Sequence, residues 1–193
     1  MFDNLVQLVV LFIVIFDPMA SIVVFAIATK SMEEGERIRT AILAIIVASV
    51  ISYAFLFAGQ QLLDLFGINM RYFKVAGGVI LFILGVEMVL GYPLTNIDAT
   101  KECSASAIAS IIATPLLTGP AAITAIIISA REFGTVDVGL AITLVLLFSL
   151  ALFLLAARIN KAVGKMPLQV ASTIFGLLTL AWGVKFILEG LGV

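Results

Sequence analysis

The stretch Ile15-Phe16-Asp17-Pro18-Met19-Ala20-Ser21 lies in the middle of the first long apolar segment of this chain. Proline lacks a backbone donor and clashes with the carbonyl four residues earlier, so a helix kinks or opens there. A similar stretch, Thr114-Pro115-Leu116-Leu117-Thr118-Gly119-Pro120-Ala121-Ala122, lies in the second half of the chain. We therefore expect both helices that carry these stretches to be broken near the membrane midplane. Open helices at that depth are tolerated only where they face protein or a watery cavity.

The composition identifies the class of protein. Of the 193 residues, 63% are hydrophobic and 12% are charged, and the mean hydropathy is +1.25. Soluble domains are about half apolar and about a quarter charged. Several apolar runs exceed the ~20 residues that a membrane-spanning helix needs. The chain is therefore predicted to be an all-α integral membrane protein.

Hydropathy and loop residues predict six transmembrane helices in a single domain, 1–193. A polar linker at 92–104 separates two halves of three helices each, 1–91 and 105–193. Because three is an odd number, the second half must enter the membrane from the opposite side, which predicts an inverted 3+3 repeat with a site between its halves. The six helices are expected at 5–28, 40–63, 72–91, 106–130, 137–157 and 168–189.

Short matches between the halves agree with a repeat. Phe16-Asp17-Pro18-Met19-Ala20 aligns with Thr118-Gly119-Pro120-Ala121-Ala122, so helices 1 and 4 are the equivalent broken helices. Phe73-Lys74-Val75-Ala76-Gly77-Gly78 aligns with Leu168-Gln169-Val170-Ala171-Ser172-Thr173. These small residues favour close helix contacts, with substrate contact as the alternative.

The distribution of basic residues predicts the orientation, because cytoplasmic loops carry an excess of lysine and arginine. Connections 2–3 and 4–5 carry only Arg71, Lys74 and Arg131. Both termini are therefore expected on the extracytoplasmic side of the plasma membrane. The basic residues of the other three connections are Lys30, Arg37, Arg39, Lys101, Arg158, Lys161 and Lys165.

Several functional classes are excluded or disfavoured by residues that the sequence lacks. There is no histidine and only one cysteine, Cys103, which removes histidine-based catalysis and leaves no set of thiolate or imidazole metal ligands. The net charge of −1 gives no basic surface for nucleic acid. An intramembrane aspartyl protease needs two facing carboxylates, whereas Asp17 alone is central. We therefore predict no enzyme activity, no cofactor and no metal site, and an inert assembly protein remains the other alternative.

Asp17 is the acidic residue closest to the centre of a predicted span. A charge at this depth costs on the order of 2.5–3.5 kcal/mol by insertion scales, so it requires a compensating role. The functional interpretation is a carboxylate that receives a substrate's ammonium group or a coupling proton. The structural interpretation is an N-cap for the half-helix that begins at Pro18. The two roles are compatible.

The half-helices at 18–21 and 119–122 would direct their positive N-terminal ends toward the centre of the protein, which suits a carboxylate ligand. A packing kink at Pro120 is the alternative. Glu87, near the end of helix 3, is either a snorkelling residue or a proton relay. The residues predicted to bind substrate are Asp17, Pro18, Ala20, Ser21, Thr114, Thr118, Gly119, Pro120, Ala121 and Thr124. Ala20, Gly119 and Ala121 would keep the pocket small.

Three blocks in this order resemble a known family. The first is Phe16-Asp17-Pro18-Met19-Ala20-Ser21, similar to D-P-x-G-N. The second combines Leu65-Phe66-Gly67-Ile68-Asn69 with the segment that starts at Phe73-Lys74-Val75-Ala76-Gly77-Gly78. The third is the Thr114–Thr124 segment, close to P-L-L-A-G-P-G-A-I-T. Together they resemble the MarC-like (UPF0056) membrane proteins, which include SnatA-type small neutral amino acid transporters.

The resemblance implies a six-helix plasma-membrane protein that moves glycine and alanine by an ion gradient. We expect H⁺ as the coupling ion, with Na⁺ as the alternative, and Asp17 as the coupling residue. Export of other metabolites or drugs on the same scaffold is the rival function, and homo-oligomerisation stays open. The sequence departs from the family pattern at Ala20, Ser21 and Ala121, where glycine, asparagine and glycine are usual.

Overall fold

The computed structural model describes residues 2–30, 32–90, 109, 113, 117–162 and 165–193. Across these residues the regular structure consists of seven α-helices. Their bounds are α1 Phe2–Phe16, α2 Pro18–Ala28, α3 Glu34–Leu65, α4 Met70–Leu90, α5 Pro120–Phe133, α6 Thr135–Ala162 and α7 Lys165–Leu191.

Within the described ranges, five segments are long and apolar enough to cross a membrane, and α1 and α2 together make up the first of them. This confirms the prediction of an all-helical, multi-span membrane protein. Most of the first half of predicted helix 4, at 106–116, lies outside the described residues. The five segments are Asn4–Ala28, Glu34–Leu65, Met70–Leu90, Thr135–Ala156 and Pro167–Leu191.

The predicted helix ends require correction. Predicted helix 2 was expected at 40–63, whereas α3 begins at Glu34 and ends at Leu65. Likewise, α6 continues to Ala162 and α7 begins at Lys165, where the sequence suggested a longer basic connection. Glutamate, arginine and lysine are good helix formers, so these helices extend beyond their apolar segments. Hydropathy marks the membrane part of a helix and does not mark its end.

The core is centred on α1, α2 and α5. Phe12 and Phe16 of α1 are fully buried, as is Ile126 of α5. Phe25 of α2 stacks on Phe153 of α6, with ring centroids 4.9 Å apart. The surrounding helices α3, α4, α6 and α7 each expose large apolar side chains on their outer faces, as a lipid-facing surface requires. The inner helices therefore carry the two interrupted stretches away from lipid.

Helices α4 and α7 pack antiparallel along most of their length through glycines. A Cβ atom on Gly78 would lie 2.6 Å from the carbonyl oxygen of Gly183, and one on Gly85 would lie 2.7 Å from that of Gly176. At one end, a Cβ on Gly190 would lie 2.7 Å from the carbonyl oxygen of Arg71. Small residues let membrane helices approach to backbone contact. The packing interpretation of Gly78 is thus confirmed.

One end of α4 is held by charged side chains. The Lys74 ammonium group donates to Glu132 at the end of α5 and, at 2.6 Å, to Glu189 of α7. Glu189 also lies 3.6 Å from Lys185, four residues earlier on the same helix. This network ties α4, α5 and α7 together at the end of α4 that lies far from Glu87.

Candidate functional site

The first interruption is centred on Asp17. Its backbone adopts the left-handed conformation, with φ 38° and ψ 67°, as the N-cap of α2, and Pro18 occupies the first turn. No other non-glycine residue with positive φ occurs in the part of the chain that the structure describes. Such a conformation is tolerated by aspartate and asparagine more readily than by most residues. The change of chain direction between α1 and α2 and the capping of α2 therefore both depend on Asp17.

Asp17 is 4% exposed, and its carboxylate accepts hydrogen bonds on both oxygens. Its Oδ1 accepts from the backbone N–H of Ala20 at 3.2 Å, and its Oδ2 accepts from the hydroxyl of Ser172 on α7. The N-cap role predicted from the sequence is present. A carboxylate has about four lone-pair sites, so capacity remains to accept from a ligand.

The second interruption, by which we mean the extended residue Gly119 that precedes α5, is chemically different. The N–H of Thr118 donates to the carbonyl oxygen of Ala113, five residues earlier, at 2.9 Å, which is wider than an α-helical turn. Gly119 is extended, with φ −72° and ψ 177°, and Pro120 opens α5. Because Gly119 has no side chain, α5 begins without a side-chain cap. Its first N–H groups are therefore available to a ligand.

A cavity of about 220 Å³ lies between the two interruptions and α4. One wall consists of residues around the two interruptions, and the other consists of one face of α4. The lining residues are Ile15, Asp17, Ala20, Ser21, Ile80, Ile83, Leu84, Glu87, Met88, Gly119, Pro120, Ala121 and Ala122.

Most of the lining residues that the structure describes are apolar. Among the described lining residues, Asp17 and Glu87 are the charged ones, and both are acidic. Ser21 is 1% exposed, and its hydroxyl has no hydrogen-bond partner among the described residues. A buried hydroxyl without a partner costs about 1–3 kcal/mol, so its retention at this wall suggests a ligand contact. The cavity thus combines an apolar surface with acidic groups and one free hydroxyl.

The structure brings six of the predicted site residues together on the cavity: Asp17, Ala20, Ser21, Gly119, Pro120 and Ala121. Thr114 lies outside the described residues. Pro18, Thr118 and Thr124 are buried but do not line the cavity. The Thr118 hydroxyl donates to the carbonyl of Ala113 at 2.7 Å, and the Thr124 hydroxyl donates to that of Pro120 at 2.9 Å. These two hydroxyl groups therefore donate their hydrogen bonds to nearby backbone carbonyl groups.

The sequence did not predict the α4 wall or the contact between Ser172 and Asp17. Ile80, Ile83, Leu84 and Glu87 share one helix face by their i, i+3 and i+4 spacing, but many apolar helix faces in a membrane protein contact only lipid. Glu87 was open between snorkelling and proton transfer, and the structure places it at the cavity with an exposed side chain. For Ser172 the sequence predicts a close helix contact or a substrate contact, and the structure instead shows a hydrogen bond to Asp17.

Comparisons with known proteins give consistent results. The profile of the family described as MarC family integral membrane protein matches residues 2–193. A UPF0056 membrane protein of Methanocaldococcus jannaschii is 30% identical over 185 residues, covering 92% of this chain and 90% of that protein. One of Archaeoglobus fulgidus is 32% identical, covering 92% and 87%, and the UPF0056 membrane protein YhcE of Escherichia coli is 28% identical, covering 91% and 86%. No solved structure matches.

Proposed function

Because this chain belongs to the MarC family of integral membrane proteins, we propose that it is a SnatA-type secondary transporter of small neutral amino acids such as glycine and alanine. The observation that carries the proposal is the cavity between the two interruptions, with Asp17 on one side and the uncapped start of α5 on the other. Membership of the family supports a membrane-spanning transporter, and the groups that line the cavity support the proposed ligand.

The two interruptions carry chemically different groups, one suited to each charged end of a zwitterionic amino acid. The Asp17 carboxylate suits a ligand's ammonium group, because a charge-assisted hydrogen bond is roughly twice as strong as a neutral one. The first N–H groups of α5, at Ala121 and Ala122, suit its carboxylate, because a helix N-terminus attracts anions. The Ser21 hydroxyl can serve either end of the ligand. Small residues at Ala20, Gly119 and Ala121 leave room only for a short side chain.

Cavity size favours this substrate class over the rival function, which is export of drugs or other metabolites. Pockets for drug-sized ligands typically measure about 300–1,000 Å³. The cavity here measures about 220 Å³. It suits a small solute better than a drug. The same lining gives no support for catalysis, and we propose no enzyme activity.

Transport further requires a scaffold that exposes the site alternately to both sides. We propose an inverted 3+3 repeat whose helices 1 and 4 are each interrupted at the site. Asp17-Pro18 and Gly119-Pro120 occupy equivalent positions at the starts of α2 and α5. The contacts between the two halves are reciprocal as well. In the first half, α2 packs on α6 of the second half, and α5 of the second half packs on α3 of the first. A repeat of this kind places the site between its halves.

The function is tested by uptake of radiolabelled glycine into proteoliposomes of the purified protein, with and without an imposed proton gradient. Uptake that rises with the proton gradient and is competed by alanine would support the proposal. A parallel Na⁺ gradient distinguishes the alternative coupling ion. A folded protein that takes up no glycine under either gradient would contradict it, and the exporter alternative would then take its place.

Replacing Ser21 with alanine is expected to raise the KM for glycine about 3- to 10-fold. The reason is the loss of one ligand hydrogen bond worth about 0.5–1.5 kcal/mol. The fold should remain, because the hydroxyl has no described protein partner. The measurement is initial uptake against glycine concentration.

Ser52→Ala is the matched control for that substitution. Ser52 is the other buried hydroxyl without a described partner, and it lies on α3, outside the cavity lining. Its removal should leave KM unchanged. Equal effects of the two substitutions on KM would show that Ser21 does not contact the ligand.

We propose a location in the plasma membrane with both termini outside. In a Cys103→Ser background, Thr135→Cys at the start of α6 should react with a membrane-impermeant maleimide in intact cells. Glu36→Cys, near the start of α3, should react only after the cells are permeabilised, because basic residues hold that connection in the cytoplasm. Both positions are solvent-exposed in the structure. The reverse labelling pattern would invert the orientation.

A further inference from the structure

The cavity lies between two groups of helices. Its first wall carries Asp17 and Ser21 beside the first interruption and residues 119–122 beside the second. Its second wall is the face of α4 that carries Ile80, Leu84 and Glu87. Lys74 and Glu132 tie one end of α4 to α5, so movement of the other end of α4, which carries Glu87, changes the size and the opening of the cavity.

Helix α4 is joined to α7 more closely than to any other described helix. Backbone atoms of the two helices meet at Gly78 and Gly183 and again at Gly85 and Gly176, where even a methyl group has no room. Packed interfaces of this kind do not deform continuously. We therefore treat α4 and α7 as one unit, the α4–α7 pair, which carries the second wall of the cavity.

A side-chain hydrogen bond connects the α4–α7 pair to the first wall at the site itself. The Ser172 hydroxyl of α7 donates to Oδ2 of Asp17, while Oδ1 is occupied by the backbone N–H of Ala20. A hydroxyl binds an ionised carboxylate more strongly than a neutral carboxyl group. A proton or an ammonium group that arrives at Asp17 would therefore weaken or compete with the bond from Ser172.

We propose that Ser172 is a positioning residue that couples the charge on Asp17 to the position of the α4–α7 pair. When Asp17 is charged and without ligand, Ser172 holds the pair against α2. When Asp17 is neutralised by a proton or paired with an ammonium group, the pair is released and the cavity changes its opening. This inference rests on the proposed function for its ligand. Among the described lining residues, Glu87 is the other titratable group, and it lies on the moving wall.

Ser172→Ala is tested against Thr173→Ala, its neighbour on the same helix. The Thr173 hydroxyl donates to the carbonyl of Gln169, four residues earlier, at 3.0 Å, so its loss affects only α7 itself. In proteoliposomes, Ser172→Ala should lower proton-driven glycine accumulation at least tenfold. It should retain glycine–glycine exchange within about threefold, because exchange uses only the loaded protein. Ser172→Thr, which keeps the hydroxyl, should restore accumulation.

A second measurement needs no substrate and separates this inference from the proposed function. Spin labels are placed at Val170→Cys on α7 and Ile46→Cys on α3, both exposed positions, in a Cys103→Ser background, and their distance is measured in nanodiscs. Asp17→Asn and Ser172→Ala should each shift the distance distribution by a similar amount. The double variant should show no further shift, because both changes remove the same charge-assisted hydrogen bond.

If glycine transport fails but these distance shifts appear, only the proposed function is overturned. Additive shifts, or shifts equal to those of Thr173→Ala, would overturn the role of Ser172. Proton-driven accumulation at the wild-type level in Ser172→Ala would overturn it as well. Loss of both exchange and the folded state in Ser172→Ala, without rescue by Ser172→Thr, would assign the residue a purely structural role.

Discussion

Replacing Asp17 with asparagine is expected to reduce proton-driven glycine uptake to the level of protein-free liposomes. Asparagine tolerates the left-handed backbone conformation found at this position, and it is about as good an N-cap as aspartate. The start of α2 should therefore be preserved, while the cavity loses the carboxylate that would receive a proton or an ammonium group. The measurement is uptake in proteoliposomes, with the melting temperature of the detergent-solubilised protein recorded in parallel.

Asp64→Asn is the matched control for this substitution. Asp64 is an exposed carboxylate near the end of α3, outside the cavity lining, so its loss should leave uptake within about twofold of the wild type. Asp17→Ala is the informative third variant, because it removes the cap together with the charge and should also lower stability by about 0.5–2 kcal/mol. Gradient-driven uptake at the wild-type rate in Asp17→Asn would rule out the assigned role of this carboxylate.

The second large effect is expected at the contact between α4 and α7. In Gly183→Ala, the new Cβ would lie 2.7 Å from the backbone nitrogen of Phe82 and 2.8 Å from the carbonyl oxygen of Gly78. Neither backbone atom can yield without separating the two helices. Overpacking of this kind costs about 1–3 kcal/mol. The apparent melting temperature should therefore fall by about 2–12 °C for a chain of this size.

Gly35→Ala provides the comparison for Gly183→Ala. Gly35 lies in the first turn of α3, and a Cβ atom added there would meet no other atom within 4 Å. Alanine at this position should therefore be neutral or should stabilise by up to about 1 kcal/mol. Both variants make the same chemical change within a helix, and they differ only in what the methyl group meets. A melting temperature for Gly183→Ala equal to that of Gly35→Ala would show that the two helices are not in backbone contact.

Local chemistry explains which parts of the site could be predicted from the sequence. Asp17-Pro18 and Gly119-Pro120 each carry a helix breaker and a residue suited to an N-cap, and such effects act within a few residues. Six of the ten predicted site residues consequently meet on one cavity. The hydroxyls of Thr118 and Thr124 donate to backbone acceptors five and four residues earlier, and these acceptors compete with any ligand for the hydroxyl proton.

The cavity wall formed by α4 could not be predicted from the sequence for a different reason. Ile80, Ile83 and Leu84 have the composition of a lipid-facing helix, and only the packing of α4 on α5, across the cavity from Asp17 and α2, makes their face a cavity wall. Ser172 lies 155 residues from Asp17 in the chain, so no local pattern could join them. The predicted ends of these helices were wrong for a third reason. Charged residues that favour helix formation continue α3 and α6 beyond their apolar segments.

The glycine contact between α4 and α7 also bears on how the protein is made. At about 5–20 residues per second, the ribosome needs several seconds to synthesise the roughly 75 residues between the two helices. During that interval, the glycine face of α4 has no partner in the membrane and is covered by lipid or by the insertion machinery. Biogenesis of this protein therefore includes a stage at which α4 is inserted but not assembled. Damage to α7 would leave the chain at that stage, where quality-control proteases act.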